Sequence, residues 1–275
     1  MNKKIGFILA LVLISLMMVG TASAGLFDFL GGNNANQTAN DNETFIVGFD
    51  AEFPPYGYKD ANGSYVGFDL DLAKEVCERN NWTFKAQPID WDAKDAELDS
   101  GSIDCIWNGF TIDGRENDYT WSNPYFDNKQ IFVVKSDSGI NSIADLKGKT
   151  VETQKDSSAL AALQGDNKTV ADTFGTLTEV ADYNTAFMDL ESGACQAVAM
   201  DIGVAEYDIS QKNNTADFKI LNESITTEKY GIGFKKGNDA LKDTVQKTLD
   251  EMFKDGTVLE IAQKYGISED ALIQG

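Results

Sequence analysis

The chain has 275 residues, 24% charged and 42% hydrophobic, with a formal net charge of −21. That balance lacks the basic footprint of a nucleic-acid binder and is repelled by anionic lipid headgroups, so its plain reading is solubility outside the cell. Three cysteines (Cys77, Cys105, Cys195), no CxxC pair and no histidine leave little from which to build a zinc site or a Cys/His or Ser/His nucleophile, and no metal or cofactor is expected.

In chain order, Lys3 and Lys4 precede an apolar run from Ile5 to Gly20, and Ala22-Ser23-Ala24 fits a small-residue cleavage site. Residues 1–24 therefore read as an export signal. The alternative is a retained membrane anchor, since apolar character resumes at Leu26–Leu30. Residues 25–43 are rich in Gly and Asn and read as a disordered linker. The expected location is the extracytoplasmic face of the membrane or the periplasm, with a tether if the signal is retained. An odd cysteine count leaves a thiol unpaired in an oxidising compartment, and a Cys77–Cys105 bridge is one possibility.

Beyond residue 43, short β-rich runs alternate with helical patterns. Phe45–Phe49 is an apolar strand ending at Asp50, and Phe68–Arg79 has helical spacing. Strands are expected at Thr83–Gln87, Ile103–Trp107, Ile131–Val134, Thr150–Thr153, Glu179–Ala181, Gln196–Met200, Phe218–Leu221 and Tyr230–Phe234. Helices are expected at Ala93–Asp99, Ser142–Leu146, Ser157–Gln164, Thr185–Ser192, Ile202–Gln211, Ala240–Lys254 and Thr257–Tyr265. The alternation predicts an α/β fold with mostly parallel sheets and helices on both faces. DAELDSGSID and MDLESGACQAVAMD share a helix, a Ser-Gly turn and a strand, which hints at two lobes built alike.

Such sheets bind ligands where the loops converge beyond the carboxyl ends of the strands. The polar residues just past strand ends are Asp50, Asn108–Thr111, Gln154–Ser158 and Asp201. The loop after Asp50, with two prolines and Phe53, Tyr56 and Tyr58, suits either a stacking rim or a turn packed on its own domain. Gly109 allows close approach of a ligand to the backbone, and Thr111 offers a hydroxyl. Ser157 and Ser158 open a helix, where they either cap it or help to bind an anion; Asp201 is either another cap or a partner for an ammonium.

Arginine is nearly absent: twenty-one lysines stand against Arg79 and Arg115. Arg79 reads as a surface charge at a helix end. Arg115 lies in WNGFTIDGRENDYTWSNPYF, where its planar fork either grips a carboxylate bidentately or pairs with Glu116 or Asp118. One arginine, one helix start and one spare carboxylate would complement the two charges of an α-amino acid.

Three stretches carry a family resemblance: VGFDAEFPPYGYKDANGSYVGFDLDLAKEV (47–76), the Arg115 segment, and KGNDALKDTVQKTLDEMFKDGTVLEIAQKYG (236–266). From Phe45 to the C-terminus the chain resembles the polar amino-acid-binding proteins of ABC importers, bacterial extracellular solute-binding family 3. The resemblance implies the two-lobed periplasmic-binding-protein type 2 fold, with mixed, mostly parallel sheets and two hinge crossovers. Lobe 1 would be 44–127 plus 230–275, and lobe 2 would be 128–229. It further implies that Arg115, Thr111 and Ser158 hold the α-carboxylate, with Ser157 beside them, and that Asp201 takes the α-ammonium. Asp50, Phe53 and Trp91 would meet the ligand side chain next to Tyr56, and Asn108 and Gly109 would offer backbone groups. The implied function is a monomeric binding protein, not an enzyme, that delivers a polar or cationic amino acid to an ABC permease. Two departures from the family pattern stand out: the Thr111–Arg115 spacing is one residue short, and Asp156 stands where glycine is common. The alternatives are an arogenate-dehydratase-like enzyme on the same fold and a ligand-sensing module for a separate receptor.

Overall fold

The computed structural model describes residues 43–274. The signal and nearly all of the linker expected from the sequence lie outside them. Among the described residues, no helix is long and apolar enough to cross a membrane.

The chain opens with β1 (Thr44–Phe49), then a small three-stranded antiparallel sheet of β2 (Glu52–Phe53), β3 (Gly57–Lys59) and β4 (Tyr65–Val66). Helix α1 (Phe68–Asn80) leads to β5 (Thr83–Pro88), and a 3-10 turn at Trp91–Ala93 runs into α2 (Lys94–Ser100). Next come β6 (Cys105–Thr111), β7 (Thr120–Trp121) and the long β8 (Phe126–Lys135). The following stretch holds β9 (Thr150–Gln154), α3 (Ser158–Gln164), α4 (Lys168–Ala171), β10 (Thr176–Val180), α5 (Tyr183–Ser192), β11 (Ala197–Asp201) and α6 (Ile202–Ser210). After β12 (Phe218–Ile220), the long β13 (Thr226–Phe234) leads to α7 (Asp239–Asp255) and α8 (Thr257–Lys264), which pack on α1.

The main sheet runs β10-β9-β11-β8-β13-β6-β1-β5. Parallel pairs β1/β5 and β1/β6 stand at one end, and β9/β10 and β9/β11 at the other. Between them β8 and β13 run antiparallel, pairing from Phe126↔Tyr230 to Gln130↔Thr226. Past this crossing, β8 continues against β11 and β12, and β13 against β6. The chain thus enters one half of the molecule through β8 and leaves it through β13.

Helices cover both faces of the sheet, so its strands are apolar on both sides. On β11, Val198 and Met200 join one core cluster and Ala197 and Ala199 another; on β8, Ile131 and Val133 part from Phe132 and Val134 in the same way. On β6, Cys105 and Trp107 face the large core, whereas Ile106 and Phe110 face a separate cluster with Trp91 and Leu98. Cys77, Cys105 and Cys195 are free thiols buried in these layers, with no Cys77–Cys105 bridge.

The internal likeness read from the sequence has a structural form. Helices α2 and α5 both end at a glycine in the left-handed region, Gly101 (φ 79°) and Gly193 (φ 83°), before strands β6 and β11. A Cβ would meet nothing at either position, so the backbone angle alone selects glycine. Some features escaped the sequence reading, among them the short strand β7 and the one-turn helix α4. The rim loop folds into the β2-β3-β4 sheet, whose strands of two or three residues are too short for a periodic signal. Glu179–Ala181 is the tail of a longer strand that begins at Thr176.

Leu249→Ala on α7, where the side chain is fully buried, should cost about 2–5 kcal/mol in denaturant unfolding. Met188→Ala, at a side chain 58% exposed, should stay within about 0.5 kcal/mol.

Candidate functional site

The carboxyl ends of β1, β6, β9 and β11 converge on one cleft. Its wall is formed by Phe53, Trp91, Asn108, Gly109, Thr111, Arg115, Gln154, Ser157, Ser158 and Asp201. The cavity left between them is only about 20 Å3. That is far below the range for small-molecule pockets, about 300–1,000 Å3, so the walls are drawn nearly together and have to part to admit a ligand.

Strand β6 is buried along its whole length and carries the floor. Asn108 Oδ1 accepts from the backbone N–H of Asp50 at 2.9 Å, which ties β6 to the end of β1. Gly109 adopts φ 56°, and a Cβ there would sit 2.8 Å from Phe53 and 3.1 Å from Tyr230. Both the angle and the space therefore require glycine. Its N–H donates to Asp69 Oδ2 at 2.5 Å, and Tyr125 OH donates to Asp69 Oδ1 at 2.8 Å. Burial pushes the Asp69 carboxyl up to about 7.

Arg115 follows β6. Its Nη1 donates to the Thr111 carbonyl and its Nη2 to the Asp156 carbonyl, both at 3.3 Å, and its guanidinium lies 5.3 Å from the Phe110 ring centroid. Among the described residues it forms no ion pair, so neither Glu116 nor Asp118 takes its charge. Arg79 differs: it bonds Glu75 at 2.8 Å and Asp255 at 2.7 Å on the surface. One arginine is consumed by its acidic neighbours, and the other is held beside the cleft by two carbonyls and the face of Phe110.

Across the cleft, Ser157 caps α3, accepting from Leu160 N–H at 3.1 Å, and Ser158 Oγ donates to Glu228. Asp201 precedes α6 but makes no side-chain cap bond. Its Oδ1 instead accepts from Asn128 Nδ2 and Gln130 Nε2 at 2.7 Å and from Tyr230 OH at 2.6 Å, while Oδ2 has no partner among the described residues. Glu228 accepts from the same two amides, also at 2.7 Å. Burial first, and the charge of Glu228 second, push the Asp201 carboxyl up to about 7.

Nine of the eleven residues singled out from the sequence line this cleft. Asp50 stands just behind it: its Oδ1 accepts from Glu52 N–H at 2.8 Å and its Oδ2 from Gln154 Nε2 at 2.5 Å. Burial pushes its carboxyl up to about 6. Tyr56 lies elsewhere, packed edge-on against Phe126 and Tyr230 with its hydroxyl over Gly203. Four residues were not singled out: Gln154, Asn128, Gln130 and Glu228. Gln154 sits at a strand end already marked as polar. The other three are polar side chains at the inward-facing positions of β8 and β13, where alternation predicts apolar ones.

The sequence from 45 to 268 matches the model of the bacterial extracellular solute-binding proteins, family 3. The L-cystine-binding protein TcyJ of Escherichia coli (strain K12) is 29% identical over 229 residues, covering 81% of this chain and 82% of that protein. A probable histidine-binding protein of Neisseria gonorrhoeae is 31% identical over 251 residues, covering 87% and 89%. Among solved structures, an ABC uptake transporter substrate-binding protein from Streptococcus pneumoniae with bound histidine aligns with a TM-score of 0.80 at 33% identity, over 84% of this chain and 95% of that one. An ancestral arginine-binding protein bound to arginine aligns with a TM-score of 0.75 at 39% identity, over 82% and 98%. The two-halved sheet with its double strand crossing is the type 2 periplasmic-binding-protein fold, and the chain belongs to the bacterial extracellular solute-binding proteins, family 3.

Proposed function

We propose that the chain captures a free amino acid in this cleft, between a lobe of 44–127 plus 230–275 and a lobe of 128–229, and delivers it to the permease of an ABC importer. The observation that carries the reading is the pairing of unspent charges: among the described residues, Arg115 has no carboxylate partner, and Asp201 keeps one carboxylate oxygen free of hydrogen bonds. An α-carboxylate on Arg115, Thr111 and the Ser158 end of α3, with an α-ammonium on Asp201, satisfies both. Ser157 supports the start of α3, and Asn108 and Gly109 lend the floor. Charge-assisted hydrogen bonds are worth about 1.5–3 kcal/mol each. A few of them, with burial against Phe53 and Trp91, reach the roughly −8 kcal/mol of micromolar binding.

The ligand side chain would point past Trp91. That residue also borders a wider recess of about 580 Å3, lined by Asp50, Glu52, Asp90, Glu97 and Asp182, with Lys155 as its one cation. Five carboxyl groups favour a cationic side chain, and relatives that bind arginine and histidine agree with it. The protein performs no chemistry on this ligand in our reading. Asp50 has both oxygens engaged, by the Glu52 N–H and by Gln154, and Glu52 has one engaged by Asn184. Export, with the N-terminus either cleaved or retained as a tether, places the cleft where nutrients arrive.

Titration calorimetry of the purified protein against the twenty amino acids and cystine should give at least one dissociation constant at or below about 1 μM, near −8 kcal/mol; uniformly millimolar or weaker binding rules the function out. Arg115→Lys should weaken binding at least about tenfold, because an ammonium cannot reproduce the fork, and unchanged affinity would remove Arg115 from the carboxylate role. Binding should also weaken as pH falls. With the Asp201 carboxyl at about 7, the free protein holds a proton there below neutrality, and the ligand ammonium must displace it. Affinity should drop between pH 7 and 5, by at most about tenfold per unit, with proton release seen by calorimetry in buffers of different ionisation enthalpy.

A further inference from the structure

We propose that Asp156 and Lys94 form a latch between the two lobes that sets how long the closed cleft stays closed. The inference rests on the lobe assignment and cleft described above. Residues 155–156 follow β9 in one lobe, and residues 92–94 open α2 in the other. They meet with reciprocal charges: Lys155 pairs with Asp92 at 2.7 Å, and Asp156 pairs with Lys94. The two pairs are physically unequal. Lys155 and Asp92 are 37% and 42% exposed, so solvent screens them and they contribute little. The Lys94 side chain is only 2% exposed, with its ammonium 5.2 Å from the Trp91 ring centroid, and Asp156 is its one carboxylate partner among the described residues.

The backbone supports the same assignment. Asp156 holds φ 56°, a left-handed conformation that a non-glycine residue adopts at some cost. That conformation lets one residue serve two groups of the opposite lobe: its carboxylate meets Lys94, and its carbonyl accepts from Arg115. In the closed cleft Arg115 is thus steadied by the residue that latches it. Opening would return Lys94 to water. The latch therefore acts through the energetic state of one buried ammonium, neutralised only while the lobes are together.

This makes an asymmetric prediction. Removing the acid leaves a buried charge without a partner, which is costly; removing the base leaves a half-exposed carboxylate that water can solvate. Asparagine tolerates the left-handed angle, so Asp156→Asn keeps the loop. In the full-length protein without added amino acid, acylation of Lys94 by an amine reagent, followed by mass spectrometry, should be at least about fivefold faster in Asp156→Asn than in the parent, other lysines serving as controls. In stopped flow, L-arginine should dissociate about tenfold faster from Asp156→Asn but less than about threefold faster from Lys94→Met, and the double variant should follow Lys94→Met. Equal Lys94 reactivity in parent and Asp156→Asn, or equal effects of the two single substitutions, would overturn the latch. If Lys94 is unmasked in Asp156→Asn while the parent binds none of L-arginine, L-lysine or L-histidine, the latch stands and the binding function fails instead.

Discussion

Strands β8 and β13 both pass between the two halves of the sheet, and the negative end of the cleft depends on their pairing. Five residue pairs, from Phe126↔Tyr230 to Gln130↔Thr226, hold the two halves of the sheet in one register. Alternation along these strands turns Asn128, Gln130 and Glu228 inward, where Asp201 arrives from the end of β11. Two carboxylates would repel one another in so dry a place. The amides of Asn128 and Gln130 each donate to both, and Tyr230 adds a third donor to Asp201. The negative end of the cleft is therefore built into the joint between its halves rather than hung from a loop. A one-residue slip of either strand would turn the set to the opposite face of the sheet.

The positive end is built by the opposite means. Arg115 sits on an irregular segment after β6, placed by backbone carbonyls of Thr111 and Asp156 and by the face of Phe110. The acid is thus fixed within regular strands, and the base is fixed by contacts made outside them. The acid is tied to β8 and β13, while the base takes one of its two carbonyl partners from the segment after β9.

How much of this could be read from residues alone differs from element to element. Strands β1, β6 and β11 are largely apolar runs, and the polar residues at their ends mark where the cleft lies. That is why Asn108, Thr111, Ser158 and Asp201 could be singled out with no structure in hand. The hinge strands gave no such signal. Asn128, Gln130 and Glu228 occupy positions that alternation reserves for apolar side chains, and only the crossing explains how their polarity is satisfied. Tyr56 misled for the converse reason. An aromatic in a proline-stiffened loop suits a stacking rim, but its ring is spent on Phe126 and Tyr230. The local pattern was genuine, and long-range packing decided its use.

That packing carries a consequence for how tightly the molecule can grip. Tyr56 bears on the first turn of α6 at Gly203, where even a methyl group would come within 2.3 Å of the phenolic oxygen. The two halves thus touch backbone to ring at the rear of the joint, with no side chain as a spacer. A side chain at 203 would have to displace the Tyr56 ring or part the two segments, a change made without touching any residue that lines the cleft.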